Sequence, residues 1–241
     1  MSKQQQSSGL TTLPGGMEPV MVGRRLFLRN AGAFAAGGAL IASCKNAVEN
    51  PTTVPVGETT VDLGKDDTGI LNYAYALEQL EAAFYTQVVA KPYANMPAAE
   101  MTLLTDIRDH EIIHREFLKA ALGNMAIGAL EPDFSKVNFA DRASVLGTAK
   151  AFEDLGVAAY NGAGNLLKSA DFLLVAGKIV SVEARHAAAI RDLLNPKSAD
   201  FAGDDVVAPA TGLDVAFKPA AVLTTAQPFV KTKISGANLP Q

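Results

Sequence analysis

The sequence predicts an all-α protein: a four-helix bundle with one long crossover between its second and third helices and an irregular C-terminal tail. Three observations carry this. Four runs of about 24 to 27 residues between positions 66 and 194 repeat apolar side chains at helical spacing. The links within the first pair of runs and within the second pair are short, whereas roughly 18 residues separate the two pairs. Beyond Pro196 no period is sustained.

Taken in order, the chain divides into four segments. Residues 24–43, "RRLFLRNAGAFAAGGALIAS", set paired arginines before an apolar Gly/Ala-rich stretch. That stretch, Ala31 to Ser43, is about 13 residues long, short of the ~20 that a membrane-spanning helix needs, and reads as the core of a signal peptide. Arg24-Arg25-Leu26-Phe27-Leu28-Arg29 resembles a twin-arginine export signal, although Gly23 stands where such signals usually carry Ser or Thr. Ile41-Ala42-Ser43-Cys44 resembles a lipoprotein cleavage box, with Cys44 the lipidated first residue of the mature chain. Met17 and Met21 offer alternative starts closer to the arginines. Residues 1–43 are thus expected to be a twin-arginine-type signal peptide and 44–65 a flexible polar tether. The expected location is the periplasm or cell envelope, with membrane contact only through a lipid on Cys44.

The bundle is expected over residues 66–195. Its first helix, Asp66 to Ala90, repeats Ile70, Ala74, Leu77, Phe84 and Val88, with Glu81 in the remaining seam position. The second runs from Pro97 to Leu122 and stops at Gly123-Asn124. The third, Asp141 to about Leu167, is weakened by Gly156, Gly162 and Gly164; these glycines read as sites of close helix approach or bending, because no strand precedes them to form a phosphate loop. The fourth, Asp171 to Leu194, ends at Asn195-Pro196. Each helix is about 36 to 40 Å long at 1.5 Å per residue. The short links make each pair an antiparallel hairpin, while the long link, extended to ~60 Å, can run the length of the bundle. The extension, 196–241, holds one short helix near Pro219 to Ala226, and its apolar residues suggest packing on the bundle.

Composition excludes several functions. A net charge of −4 supplies no basic surface for nucleic acid. One cysteine rules out an internal disulfide framework and any CxxC site.

The informative residues lie in "DHEIIHREFL" and "SVEARHAAAIRDLL". Glu111 and His114, and again Glu183 and His186, are three apart, so on a helix each pair shares a face. With 11 glutamates and three histidines in 241 residues, two such pairs arise by composition at about the one-per-cent level. A second repeat is independent. Glu78 and Tyr85 in the first helix, and Glu153 and Tyr160 in the third, are each two turns apart. The chain therefore reads as a duplicated helix hairpin, and its halves carry matching marks. His110 has no counterpart in the fourth helix and reads as a surface histidine beside Asp106 or Asp109.

At these residues the sequence resembles the ferritin-like superfamily of dinuclear carboxylate proteins, which includes ferritins, bacterioferritins, rubrerythrins and manganese catalases. "LNYAYALEQLEAAFY", "RDHEIIHREFL" and "EARHAAAIRDLL" are most similar to its exported bacterial ferritin-like domain proteins, related to the desiccation-associated group. The resemblance spans about residues 68–195. It implies a ferritin-like four-helix bundle that holds two divalent ions, iron or manganese, on Glu78, Glu111, His114, Glu153, Glu183 and His186. Glu111 and Glu183 would be the bridging pair. Tyr85 and Tyr160 would orient ligand carboxylates, although singly each reads equally well as core. Glu81 competes with Glu78; since its counterpart in the second half is Gly156, which cannot ligate, it is kept as a supporting or extra ligand.

Charge supports this assignment: four buried carboxylates repel one another, and two divalent cations balance them. The implied activity is redox, with dioxygen or hydrogen peroxide as the small partner, through metal oxidation or peroxide removal. The other expectation is a non-enzymatic envelope lipoprotein that uses a metal-binding bundle as a structural or stress-protective scaffold. Iron against manganese, the electron donor and homo-oligomer formation stay open at this level.

Overall fold

Several of the helix ends fall where the sequence supplies a cap or a breaker. In the computed structural model, which describes residues 60–241, α1 spans Asp66–Ala90, α2 Ala98–Leu122, α3 Arg142–Gly164 and α4 Ala170–Leu194. The signal region, Cys44 and all but the last part of the tether lie outside the described residues. The Asp141 carboxylate accepts the Ser144 N–H at 3.0 Å to cap α3, and the Ser169 hydroxyl accepts the Phe172 N–H at 3.3 Å to cap α4. Pro97 precedes α2, and Gly123, at φ +55°, ends it in a conformation that other residues rarely adopt. α3 stops at Gly164 rather than continuing to Leu167; Leu166 and Leu167 instead close tight turns onto Ala163 and Gly164.

The most extensive packing is α1 on α2 and α3 on α4. With the short links, this makes two antiparallel hairpins. The segment joining them runs along α1. Asn72 accepts the Ile127 N–H at 2.9 Å, Gln79 accepts the Leu130 N–H at 2.9 Å, and Phe134 and Phe139 reach Phe84 at ring separations of 5.8 Å. α1 is consequently buried on most sides. α2 and α4, by contrast, each bury a single stripe.

The tail does pack on the bundle. It carries α5, Pro219–Ala226, and two small pairings. β1, Val61–Asp62, lies parallel to β4, Ile234–Ser235, while β2, Val207–Ala208, is antiparallel to β3, Leu213–Asp214. Phe217 N–H donates to the Ala158 carbonyl of α3 at 2.9 Å. Gly162 makes room for this approach: a Cβ there would stand 1.8 Å from the Phe217 oxygen. Arg191 of α4, buried, grips Asp154 and the tail residue Asp205 with nitrogen–oxygen distances of 2.8–3.0 Å. Among the described residues, no helix is long and apolar enough to cross a membrane.

Candidate metal centre

Four acidic side chains meet midway along the bundle. Glu78 comes from α1, Glu111 from α2, Glu153 from α3 and Glu183 from α4, and all four are fully buried at 0% exposure. One turn after Glu111 and Glu183 stand His114 and His186, so each histidine projects toward the same interior as its glutamate. The six form two groups that share Glu111 and Glu183, with ligand atoms within 4.8 Å of one another in each group.

The donor atoms divide without overlap. Around His114 Nδ1 lie Glu183 Oε1 at 2.8 Å, Glu78 Oε2 at 3.5 Å and Glu111 Oε2 at 3.7 Å. Around His186 Nδ1 lie Glu111 Oε1 at 2.7 Å, Glu153 Oε2 at 3.4 Å and Glu183 Oε2 at 3.4 Å. Each group thus has three carboxylate oxygens and one imidazole nitrogen, and Glu111 and Glu183 give one oxygen to each. None of these buried atoms makes a well-aligned hydrogen bond, although they crowd together. Orphaned buried acceptors are costly, and their convergence on two common points is the arrangement that a pair of cations resolves.

The two remaining oxygens are held. Tyr160 donates its hydroxyl proton to Glu78 Oε1 at 2.6 Å, and Tyr85 donates to Glu153 Oε1 at 2.5 Å. Each tyrosine therefore reaches from its own helix to the glutamate of the other half. Burial, reinforced by Glu78 beside Tyr160 and Glu153 beside Tyr85, pushes both phenols well above their ordinary range, so both stay protonated donors.

Without cations, protons balance the charge. Burial pushes Glu78 well up, with Glu183 adding to it, and carries Glu153 to about 8. Burial works against the charged imidazoles, but the surrounding carboxylates prevail and hold His114 and His186 at about 12. Burial also opposes ionisation of Glu111, yet His114 and His186 bring it down to about 2.

Two further residues complete the surroundings. Glu81 is buried but belongs to neither group. Its carboxylate faces Gly156, where a Cβ would come within 3.0 Å of Oε1, so the glycine that replaces it in the second half also makes space for it. His110 lies on the surface as expected, but its partner is neither Asp106 nor Asp109. Although exposed, it places Nδ1 2.9 Å from His186 Nε2, the ring nitrogen turned away from the carboxylates, while Asp109 pairs with Arg108. A single-helix repeat could not reveal this contact, which crosses from α2 to α4; a second histidine one turn before a candidate ligand was the available signal.

The donor set fits a hard, oxygen-preferring metal such as iron or manganese: it is oxygen-rich, with one imidazole in each group and no thiolate. Two comparisons bear on it. The family model described as a ferritin-like domain matches residues 66–196. A search of curated protein sequences finds no match.

Proposed function

Because the chain belongs to the ferritin-like domain family, we propose that its bundle carries a dinuclear iron or manganese centre that reacts with dioxygen or hydrogen peroxide, oxidising metal or removing peroxide. The observation behind this reading is the division of donors: two sets of three oxygens and one nitrogen, with both oxygens of Glu111 and Glu183 split between the sets. Glu78 and His114 would hold one ion and Glu153 and His186 the other; Glu111 and Glu183 would bridge them. Bound there, the two ions would supply the electrons that reduce the oxidant.

The chain's own residues do the rest. Tyr85 and Tyr160 fix the terminal carboxylates so that one oxygen of each faces inward. Complete burial of the four glutamates keeps bulk water from competing for the ions and strengthens the charge pairing. His110 orients His186 from behind.

Elemental analysis tests the centre. Two equivalents of metal are expected per chain, both lost in Glu111→Ala, which strips both sets, and about one lost in Glu153→Ala, which strips a single set. Full retention in Glu111→Ala overturns the assignment. Dioxygen or peroxide consumption by the loaded protein then tests turnover; two bound ions without consumption would favour the scaffold reading.

Export is part of the same proposal. Residues 1–43 would direct the chain to the periplasm or cell envelope, and a lipid on Cys44 would anchor it there. A Cys44→Ala variant should leave the membrane fraction, and unchanged membrane association would refute the anchor.

A further inference from the structure

The two ends of the bundle are packed differently. Where α1 ends and α3 begins, Phe84, Phe134, Phe139, Phe152 and Phe229 fill the interior with ring centroids 4.8–6.5 Å apart. Toward the opposite end, between all four helices, lies a cavity of about 170 Å³. Small side chains keep it open: Ala74 from α1, Ala121 from α2, Ala163 from α3 and Ala176 from α4 all line it. Protein interiors are close-packed, with few voids larger than a water molecule, so a space maintained from four helices at once is a built feature.

Its position and chemistry narrow its use. Tyr160, whose hydroxyl is committed to Glu78, forms part of the wall, and Ile179, one turn before Glu183, forms another part. The cavity therefore abuts the carboxylate centre without including its donor atoms. The lining is almost wholly carbon. Its single charged residue is Asp171, which stands exposed with Phe117 at the mouth.

We propose that this cavity is a binding site for a small neutral hydrocarbon, an aromatic ring or short alkyl chain of about six to eight carbons, since an apolar cavity of ~150 Å³ stays dry and accepts benzene. A charged guest would lose its hydration there without finding a partner. The site is built by the four helices and Leu167 of the link between α3 and α4, without any of the metal-centre donor atoms, so it goes beyond the metal reading and does not depend on it.

Benzene and toluene are the probes, titrated by calorimetry into the full chain both as purified and after metal removal by chelation. One saturable site per chain, accompanied by a rise in melting temperature, is expected in both preparations. Separate Ala163→Leu and Ala176→Leu variants, which fill the space from different helices, should weaken binding at least about tenfold while metal content and helicity stay unchanged. In the unaltered protein, nuclear Overhauser contacts from bound toluene should fall on the Ile179 methyl groups. No saturable binding overturns the proposal, as do unchanged affinity in both folded variants, toluene contacts away from Ile179, or uptake of xenon without benzene. Loss of metal with benzene binding intact would tell against the centre alone.

Discussion

His110 and His114 lie one turn apart on the same helix, yet they serve opposite sides of the centre. His114 faces the carboxylates directly, whereas His110 reaches the far nitrogen of His186 on another helix. The pairing of His114 with Glu111 was legible in the sequence because both residues sit on one helix and recur as Glu183 and His186. The role of His110 was not, because a contact between helices leaves no local period. An His110→Ala change should weaken the half-site containing His186 by about 10- to 100-fold and spare the other, so that calorimetric metal titration separates into two steps. Two unaltered, equivalent steps would contradict this. The same residues set the pH response of the metal-free protein. The unfolded chain releases protons from Glu153 near its ordinary 4.5 and from the histidines near 6.5, whereas the folded chain holds them to about 8 and about 12. The folded state thus binds more protons from pH 4.5 upward, and stability declines as pH rises, first through Glu153 and then through the histidines. Glu111, held at about 2, acts in the opposite sense, losing stability only as pH falls below 4.5. Melting of the chelated protein should therefore occur at lower temperature at pH ~9 than at pH ~5, and the reverse order would refute the proton-balanced centre.

The helices were the most legible elements, for local reasons. Pro97, Asp141, Ser169 and Gly123 mark ends through bonds or backbone angles set within a few residues. The end of α3 was overestimated because the apolar pattern of Leu166 and Leu167 continues after helical hydrogen bonding has ceased. The tail's docking was harder to read. Arg191 and Asp205 form an ion pair between α4 and a loop, and Phe217 binds a carbonyl of α3; neither contact recurs at any spacing. Gly162 is the element on which that docking turns. In Gly162→Ala the new methyl would meet the Phe217 carbonyl, a backbone atom that cannot rotate away. A loss of roughly 1–3 kcal/mol is expected, with faster proteolysis between residues 204 and 217, as the tail lifts from α3. Unchanged stability and cleavage would show that the tail has another seat. Gly156→Ala should be milder, since its methyl meets the movable end of Glu81.

At the scale of the molecule, a nearly symmetric centre sits between unlike ends, one filled by phenylalanines and the other hollow. The repeat made the centre readable, but alanines at helical spacing look the same whether they pack tightly or leave space. The centre has a consequence of its own. Each hairpin keeps its own terminal glutamate and histidine but lends one carboxylate to the opposite set, Glu183 to the set of His114 and Glu111 to that of His186. Ions held on the proposed sets, behind glutamates with no exposed surface, would be stapled across the two hairpins, and we predict that they leave when the hairpins part. Release would then be timed by breathing of the bundle. Raising chelator concentration tenfold should leave the rate of metal loss unchanged, while mild urea should quicken it; a rate proportional to chelator would mean that the ions are reached from outside.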